Sequence, residues 1–128
     1  MASESSIQND ILIYINSLPC GRAENVSGNA QQSGRSDINA CIQGRMFKIE
    51  VKTEDTLYGR KGATLKQRLY LEKWARAGAV SCVVYSVDDV AWLVSKFSPS
   101  IKQGQFIAPS GRGVYYDVPN QRWVSIQD

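Results

Sequence analysis

Histidine is absent from the 128 residues, and that absence closes several routes at once. Ser-His-Asp and Cys-His catalysis, His-ligated zinc and imidazole acid–base chemistry cannot operate in this chain. Cysteine is scarce. Cys20, Cys41 and Cys82 are widely spaced, odd in number and free of any C-x-x-C pair. Neither a disulfide framework nor a four-cysteine zinc site is readable from them. Each lies in or beside an apolar stretch, so reduced, buried thiols in an intracellular protein are expected. Long hydrophobic runs are missing too: stretches such as Val90-Ala91-Trp92-Leu93-Val94 fall far below the roughly 18 residues of a membrane-spanning helix. The opening Met-Ala-Ser-Glu-Ser-Ser has no basic segment before an apolar one, unlike a signal peptide. A cytoplasmic location is the expectation. If the chain is an enzyme, carboxylates and lysine must carry its chemistry.

What is present fits one globular domain, with 43% hydrophobic and 21% charged residues. Ile7, Ile11, Tyr14, Ile15 and Leu18 recur at helical spacing, Ser3 can cap and Pro19 and Gly21 can stop, which predicts a helix over 4–18. Residues 19–35 are rich in Gly, Ser, Asn and Gln and read as a connection with at most one short strand near 24–27. Glu54 to Gly62 reads as a loop. Thr64 can cap a helix over about 65–77, with Leu65, Leu69, Tyr70, Trp74 and Ala77 as its packing face. Val80 to Tyr85 suits a strand buried on both sides and parallel to a neighbour. Ser86 and Asp89 resemble a capping box that starts a helix through about Lys96. After Pro99, Phe106-Ile107, Val114 to Val118 and Arg122 to Ile126 read as short strands.

Residues 36–53 are the most informative. Two alternating runs flank Gln43-Gly44, which as a two-residue turn makes the numbers of facing residues sum to 87. Ile38 then faces Ile49 and Ala40 faces Phe47 on an apolar side. On the other side Asp37 faces Glu50, Asn39 faces Lys48, and Lys52 stands one strand repeat beyond Glu50. Carboxylates with Cβ atoms roughly 5 Å apart repel unless a cation separates them. Oxygen-only ligation suits Mg²⁺ or Mn²⁺, and the main-chain carbonyl of Val51 is a further candidate ligand. Lys52 could position or deprotonate a water, or stabilise charge on a phosphate. The plainer alternative is a surface hairpin whose polar side faces solvent, with Glu50 and Lys52 an ordinary exposed pair.

Glu4-x-x-x-Gln8, then Gly34-Arg35-Ser36-Asp37-Ile38, then Ile49-Glu50-Val51-Lys52-Thr53, then Gln67 resemble in this order the VRR-NUC domain. That domain is the virus-type replication-repair branch of the PD-(D/E)XK nuclease superfamily. The resemblance continues through Ala77-Gly78, an apolar strand and Ser86 to Val90, and so spans residues 4–96. It implies an α/β, restriction-endonuclease-like αβββαβ core in which a central mixed sheet is flanked by helices. Residues 97–128 would then be a C-terminal β extension of the same domain. It also implies cleavage of DNA phosphodiester bonds with Mg²⁺ or Mn²⁺. Stand-alone bacterial and phage members of similar size are associated with homodimers that cut branched DNA such as four-way junctions. Carried over by position, Asp37 and Glu50 correspond to metal ligands and Lys52 to the catalytic lysine. Gln67 would assist at the water or scissile phosphate, and Glu4 would complete the acidic cluster. Ser36 replaces the proline of the named motif and leaves the carboxylate in place.

Arg60, Lys61, Lys66 and Arg68 cluster on the loop and helix start beside this site, and with Arg35 and Arg45 could touch phosphates. A solvated basic loop is the competing reading, and the net charge of +3 does not choose. Tyr115, Tyr116 and Trp123 either pack a small hairpin or contribute to a dimer or DNA surface. The leading function is a metal-dependent, structure-selective DNA endonuclease acting on four-way junctions or flaps. The alternatives are a non-catalytic DNA-binding accessory and a nuclease subunit that needs a partner protein.

Overall fold

The computed structural model of the chain describes residues 3–26, 36–103 and 106–127. Helix α1 (Glu4–Ser17) starts where the Ser3 hydroxyl accepts from the Ser6 N–H at 3.1 Å. It ends at Leu18, whose extended backbone is what a following proline demands. Strands β1 (Gly21–Asn25), β2 (Ile38–Ile42) and β3 (Arg45–Val51) follow. Next come the short helix α2 (Leu57–Arg60), helix α3 (Leu65–Arg76), strand β4 (Val80–Val84) and helix α4 (Val87–Phe97). Strands β5 (Val114–Asp117) and β6 (Arg122–Ser125) complete the described elements.

The six strands form one sheet in sequence order, antiparallel throughout except for the parallel pair β3 and β4. A parallel pair requires a crossover, and α2 and α3 supply it. Gln43 and Gly44 take φ of 50° and 80°, the left-handed pair of a type I′ hairpin turn. The register follows: Ile38 pairs with Ile49 and Ala40 with Phe47, as the alternation predicts. The sheet buries two different faces. Ile38, Phe47, Ile49, Val51, Cys82 and Val84 pack against Ile11 and Ile15 of α1 and Val90, Leu93 and Val94 of α4. On the other side a smaller cluster joins Leu71 of α3 to Val83 and Tyr85.

Several expectations change. Residues 54–62 contain α2 rather than loop alone. Phe106-Ile107 is not a strand: Phe106 is 90% exposed, and this segment is fastened by side-chain carboxylates instead of a ladder. Asp88 Oδ2 accepts from the Ala108 N–H at 3.1 Å, and Asp89 Oδ1 from the Ser110 N–H at 2.8 Å. Helix α3 lies down on Leu71 and Ala75, leaving Leu65 and Leu69 exposed and Trp74 at the margin. Its apolar residues form stripes on opposing sides, so periodicity alone could not select the face. Of the cysteines only Cys82 is buried, and that burial pushes its thiol up out of reactive range. Cys20 and Cys41 are exposed, Cys41 because its strand position points to sheet surface that no helix covers.

Asp89 does more than begin α4. Its N–H takes the Ser86 cap at 3.2 Å, while its fully buried carboxylate accepts from the Tyr85 N–H and from both the N–H and hydroxyl of Ser110. It thereby ties the C-terminal extension to the β4–α4 turn. Asp89→Ala strands these donors and is expected to cost about 3 kcal/mol in urea denaturation. Asp89→Asn, which keeps one acceptor oxygen, is expected to lose less.

Candidate functional site

The alternation of β3 assigns its residues to two environments. Phe47, Ile49 and Val51 enter the α1–α4 core, whereas Lys48, Glu50 and, just past the strand, Lys52 point to the α3 side. That side is not open to solvent, as the surface-hairpin alternative requires. Lys48 is 3% exposed and Glu50 2%, because the crossover lays α3 beside them. The Lys48 ammonium sits 3.8 Å from the Trp74 ring centroid and donates to the Tyr70 hydroxyl at 3.3 Å. It was not singled out from sequence. The available signal was its place two residues before Glu50 on the same strand face.

Asp37 lies one residue before β2. Its N–H donates to the Ile49 carbonyl at 3.1 Å, and its Oδ2 accepts from the Val51 N–H at 2.9 Å. The ladder itself begins at Ile38, so the expected Asp37–Glu50 pair is not part of it, and Asp37 bonds instead to the residues on either side of Glu50. In a strand the N–H and C=O of one residue point the same way. The Val51 carbonyl, a further candidate ligand, therefore lies on the Asp37 side of the strand.

Gln67 is held by both of its functions. Thr64 Oγ1 accepts from the Gln67 N–H at 3.1 Å, and Gln67 Oε1 accepts from the Thr64 N–H at 2.9 Å, which closes a capping box. The same amide then donates from Nε2 to Glu50 Oε2 at 3.1 Å. Lys52 Nζ reaches that oxygen as well, at 3.4 Å. The other oxygen, Glu50 Oε1, is buried and receives no donor among the described residues, and the Asp37 carboxyl lies within hydrogen-bond reach of the Glu50 carboxyl. Burial first, and then the neighbouring Asp37 charge, push the Glu50 carboxyl up to about 9 against the pull of Lys52. Glu4, in the first turn of α1, is half-buried. Its carboxyl is raised by burial and by Asp37, and lowered by Lys52. The described structure thus gathers Glu4, Asp37, Glu50, Lys52 and Gln67 into one neighbourhood.

Among the described residues no three Asp, Glu, His or Cys side chains come together as a metal cage. Asp37 and Glu50 with the Val51 carbonyl are a sparser set of oxygens. Such a set fits Mg²⁺ or Mn²⁺, which keep several waters of their own. The orphaned Glu50 Oε1 is the observation in favour of that fit, since a cation would satisfy both its lone pairs and its charge.

The proposed phosphate contacts divide. Arg60, Lys61, Lys66 and Arg68 are exposed on the α2–α3 segment. Arg60, Lys61 and Arg68 line a groove of about 360 Å³ with Arg112 and Trp123. The last two come from the C-terminal extension; Trp123 was a candidate for a dimer or DNA surface, whereas Arg112 was not singled out from sequence. Arg45 does not join them: its guanidinium lies 5.0 Å from the Phe97 ring centroid, on the opposite face of the sheet from Glu50. Arg35 lies outside the described residues.

A carboxyl whose folded value is raised stabilises the fold when protonated and withdraws that contribution as pH climbs towards the raised value. The metal-free protein is therefore expected to melt at progressively lower temperature between pH 5 and 9 (about 4.5 to 9 being the titration range). Glu50→Gln is expected to flatten that slope and raise the melting temperature at pH 8. Circular dichroism melts across this range, with chelator present, check both.

No protein-family model matches the chain, and no curated protein matches it in sequence. Among solved structures it is similar to Hjc, a Holliday junction resolvase from the archaeal hyperthermophile Archaeoglobus fulgidus. The two share 22% identity with a TM-score of 0.50, over 64% of this chain and 67% of that one. At that identity the likeness speaks to architecture: the chain has a mixed-sheet α/β fold like that of the resolvase.

Proposed function

We propose that this chain is a divalent-metal-dependent DNA endonuclease of the VRR-NUC type that cuts branched DNA such as four-way junctions or flaps. One observation carries the reading. A carboxylate 2% exposed keeps one oxygen without a donor among the described residues, beside a second carboxylate and a lysine, on a strand whose sequence is Ile49-Glu50-Val51-Lys52-Thr53. Burying such a group costs several kcal/mol unless something charged completes it. The resolvase likeness in fold and the order of the quoted motifs support the same reading.

Asp37, Glu50 and the Val51 carbonyl would hold Mg²⁺ or Mn²⁺. When bound, the cation supplies Lewis-acid activation of water and of the scissile phosphate. Asp37 is aimed by its bond from the Val51 N–H, so its position depends on the β2–β3 pairing. Lys52 stands next to Glu50, where its ammonium can neutralise charge that develops on the phosphate or orient the attacking water. Gln67 fixes the Glu50 carboxylate from α3 and orients it towards Asp37. Glu4 adds negative charge from α1, in the field of both Asp37 and Lys52. Arg60, Lys61, Lys66 and Arg68, with Arg35, would contact phosphates without reading sequence. Paired incisions in a symmetric junction need two copies. Leu65 and Leu69, 64% and 49% exposed on the side of α3 away from the sheet, favour a homodimer.

Purified protein is expected to nick four-way junctions, flaps or splayed arms in Mg²⁺ or Mn²⁺ and to be silent in EDTA. Asp37→Ala and Lys52→Ala are each expected to reduce single-turnover cleavage at least about a thousandfold. Gln67→Ala, which leaves Glu50 in place but less well held, is expected to cost about tenfold to a hundredfold. Absence of cleavage of every structure with either metal overturns the reading. Tight junction binding that EDTA does not affect, with no nicking in either Mg²⁺ or Mn²⁺, would mark a binding accessory instead.

A further inference from the structure

The register carries the candidate site sideways across the sheet. Glu50 pairs with Val83 in the parallel β3–β4 ladder, and Val83 pairs with Val114 in β5. Paired residues point to the same side, so Val83 and Tyr85 continue the row of Glu50 and Lys52 one strand over, about 4.8 Å away. That strand is where the 360 Å³ groove opens. Its walls carry Arg60 and Lys61 from the α2 end, Arg68 from α3 and Arg112 from the turn before β5, all exposed. None of the described side chains that line it is acidic.

One wall is aromatic. Trp123 is half-buried and held in place: its Nε1–H donates to Glu72 at 3.0 Å, and its ring meets that of Tyr116 at 67° with centroids 5.5 Å apart. The Tyr85 hydroxyl donates to the Gly59 carbonyl at 2.6 Å and anchors the α2 segment over the other end. A groove with several cations and a fixed aromatic ring has the chemistry of single-stranded nucleic acid binding. There phosphates meet the cations and a base stacks on the ring. Its volume, about 360 Å³, is at the small end of ligand-sized pockets. Glu54 ion-pairs with Arg112 at the rim, with both side chains about half-exposed. Such a pair contributes little and opens readily to a phosphate.

We propose that this groove binds an unpaired DNA strand beside the candidate catalytic site, with Arg112 on a phosphate and Trp123 stacked under a base. The C-terminal β5–β6 unit thereby supplies the preference for branched over continuous duplex DNA. The inference rests on the endonuclease reading for its substrate, and its test is a binding measurement in EDTA that does not need cleavage. Fluorescence anisotropy with a fluorescein-labelled single strand, a forked duplex with one unpaired arm and a blunt duplex separates the two readings.

Arg112→Gln is expected to weaken single-strand and fork binding about tenfold and to lower the salt slope by about 0.7. Trp123→Phe, which keeps a smaller ring, is expected to weaken the same two ligands severalfold. Glu54→Gln, which releases Arg112, is expected to tighten them. Blunt-duplex binding is expected to move little in all three, and a thermal melt of each variant confirms that it is folded. Unchanged single-strand affinity and salt slope in folded Arg112→Gln overturn the proposal. So does an equal loss on blunt duplex, or a parent protein that does not prefer the fork. Loss of metal-dependent cleavage with fork preference intact would overturn only the endonuclease reading.

Discussion

Burying the Glu50 carboxylate beside Asp37 is the constraint around which the rest of the molecule is arranged. An ionised carboxylate removed from water carries a penalty of several kcal/mol, and a second carboxylate nearby adds to it. The fold offsets part of that penalty. Gln67 donates to one oxygen, and Lys52 brings a positive charge to the same oxygen. The remaining oxygen receives no donor among the described residues, and burial and the Asp37 charge make the carboxyl hold its proton far above the usual range. Stability is given up at this one point, and a buried, under-satisfied titratable group of this kind is a candidate for a functional role.

That geometry depends on the sheet being different on its two sides. The α1 and α4 side is a conventional apolar core that makes β3 rigid. The α3 side is only partly covered, and Lys48, Glu50 and Lys52 lie along the boundary between covered and open sheet. The crossover from β3 to β4 brings α3 back over this boundary, with Gln67 at its first turn. Because the capping box already uses Gln67 to start the helix, forming α3 and positioning Glu50 are one event. The same crossover delivers α2 and its basic residues to the groove floored by Val83 and Tyr85.

Much of this was legible in the sequence wherever the information was local. Ser3, Thr64 and Ser86 were readable as caps because capping is decided within one turn of chain. The Gln43-Gly44 turn set the β2–β3 register, which brought Asp37, Glu50 and Lys52 to one side before any tertiary contact was known. The family resemblance placed Gln67 and Glu4 with them. Where reading failed, the missing information was non-local. Leu65 and Leu69 satisfied helical periodicity as well as Leu71 and Ala75 did, and only packing chose the latter. Phe106-Ile107 looked like a strand, but Asp88 and Asp89 capture the backbone just beyond it. Arg45 is the exception, since strand alternation with Phe47 and Ile49 is local and already puts it on the face opposite Glu50.

The sequence by itself determined the main helices and their caps, the hairpin register from Ile38 to Ile49, the absence of imidazole chemistry and the spacing of the candidate carboxylates and lysine. Each of these follows from spacing or composition over a few residues. Tertiary structure decided which face of that hairpin is buried, and so turned an ordinary Glu-x-Lys into a desolvated site with one unsatisfied oxygen. It also brought Arg112 and Trp123 to the cations of α2 and α3, across more than forty positions of chain. Burial and long-range juxtaposition depend on how helices settle on a finished sheet, and no local pattern of residues contains that.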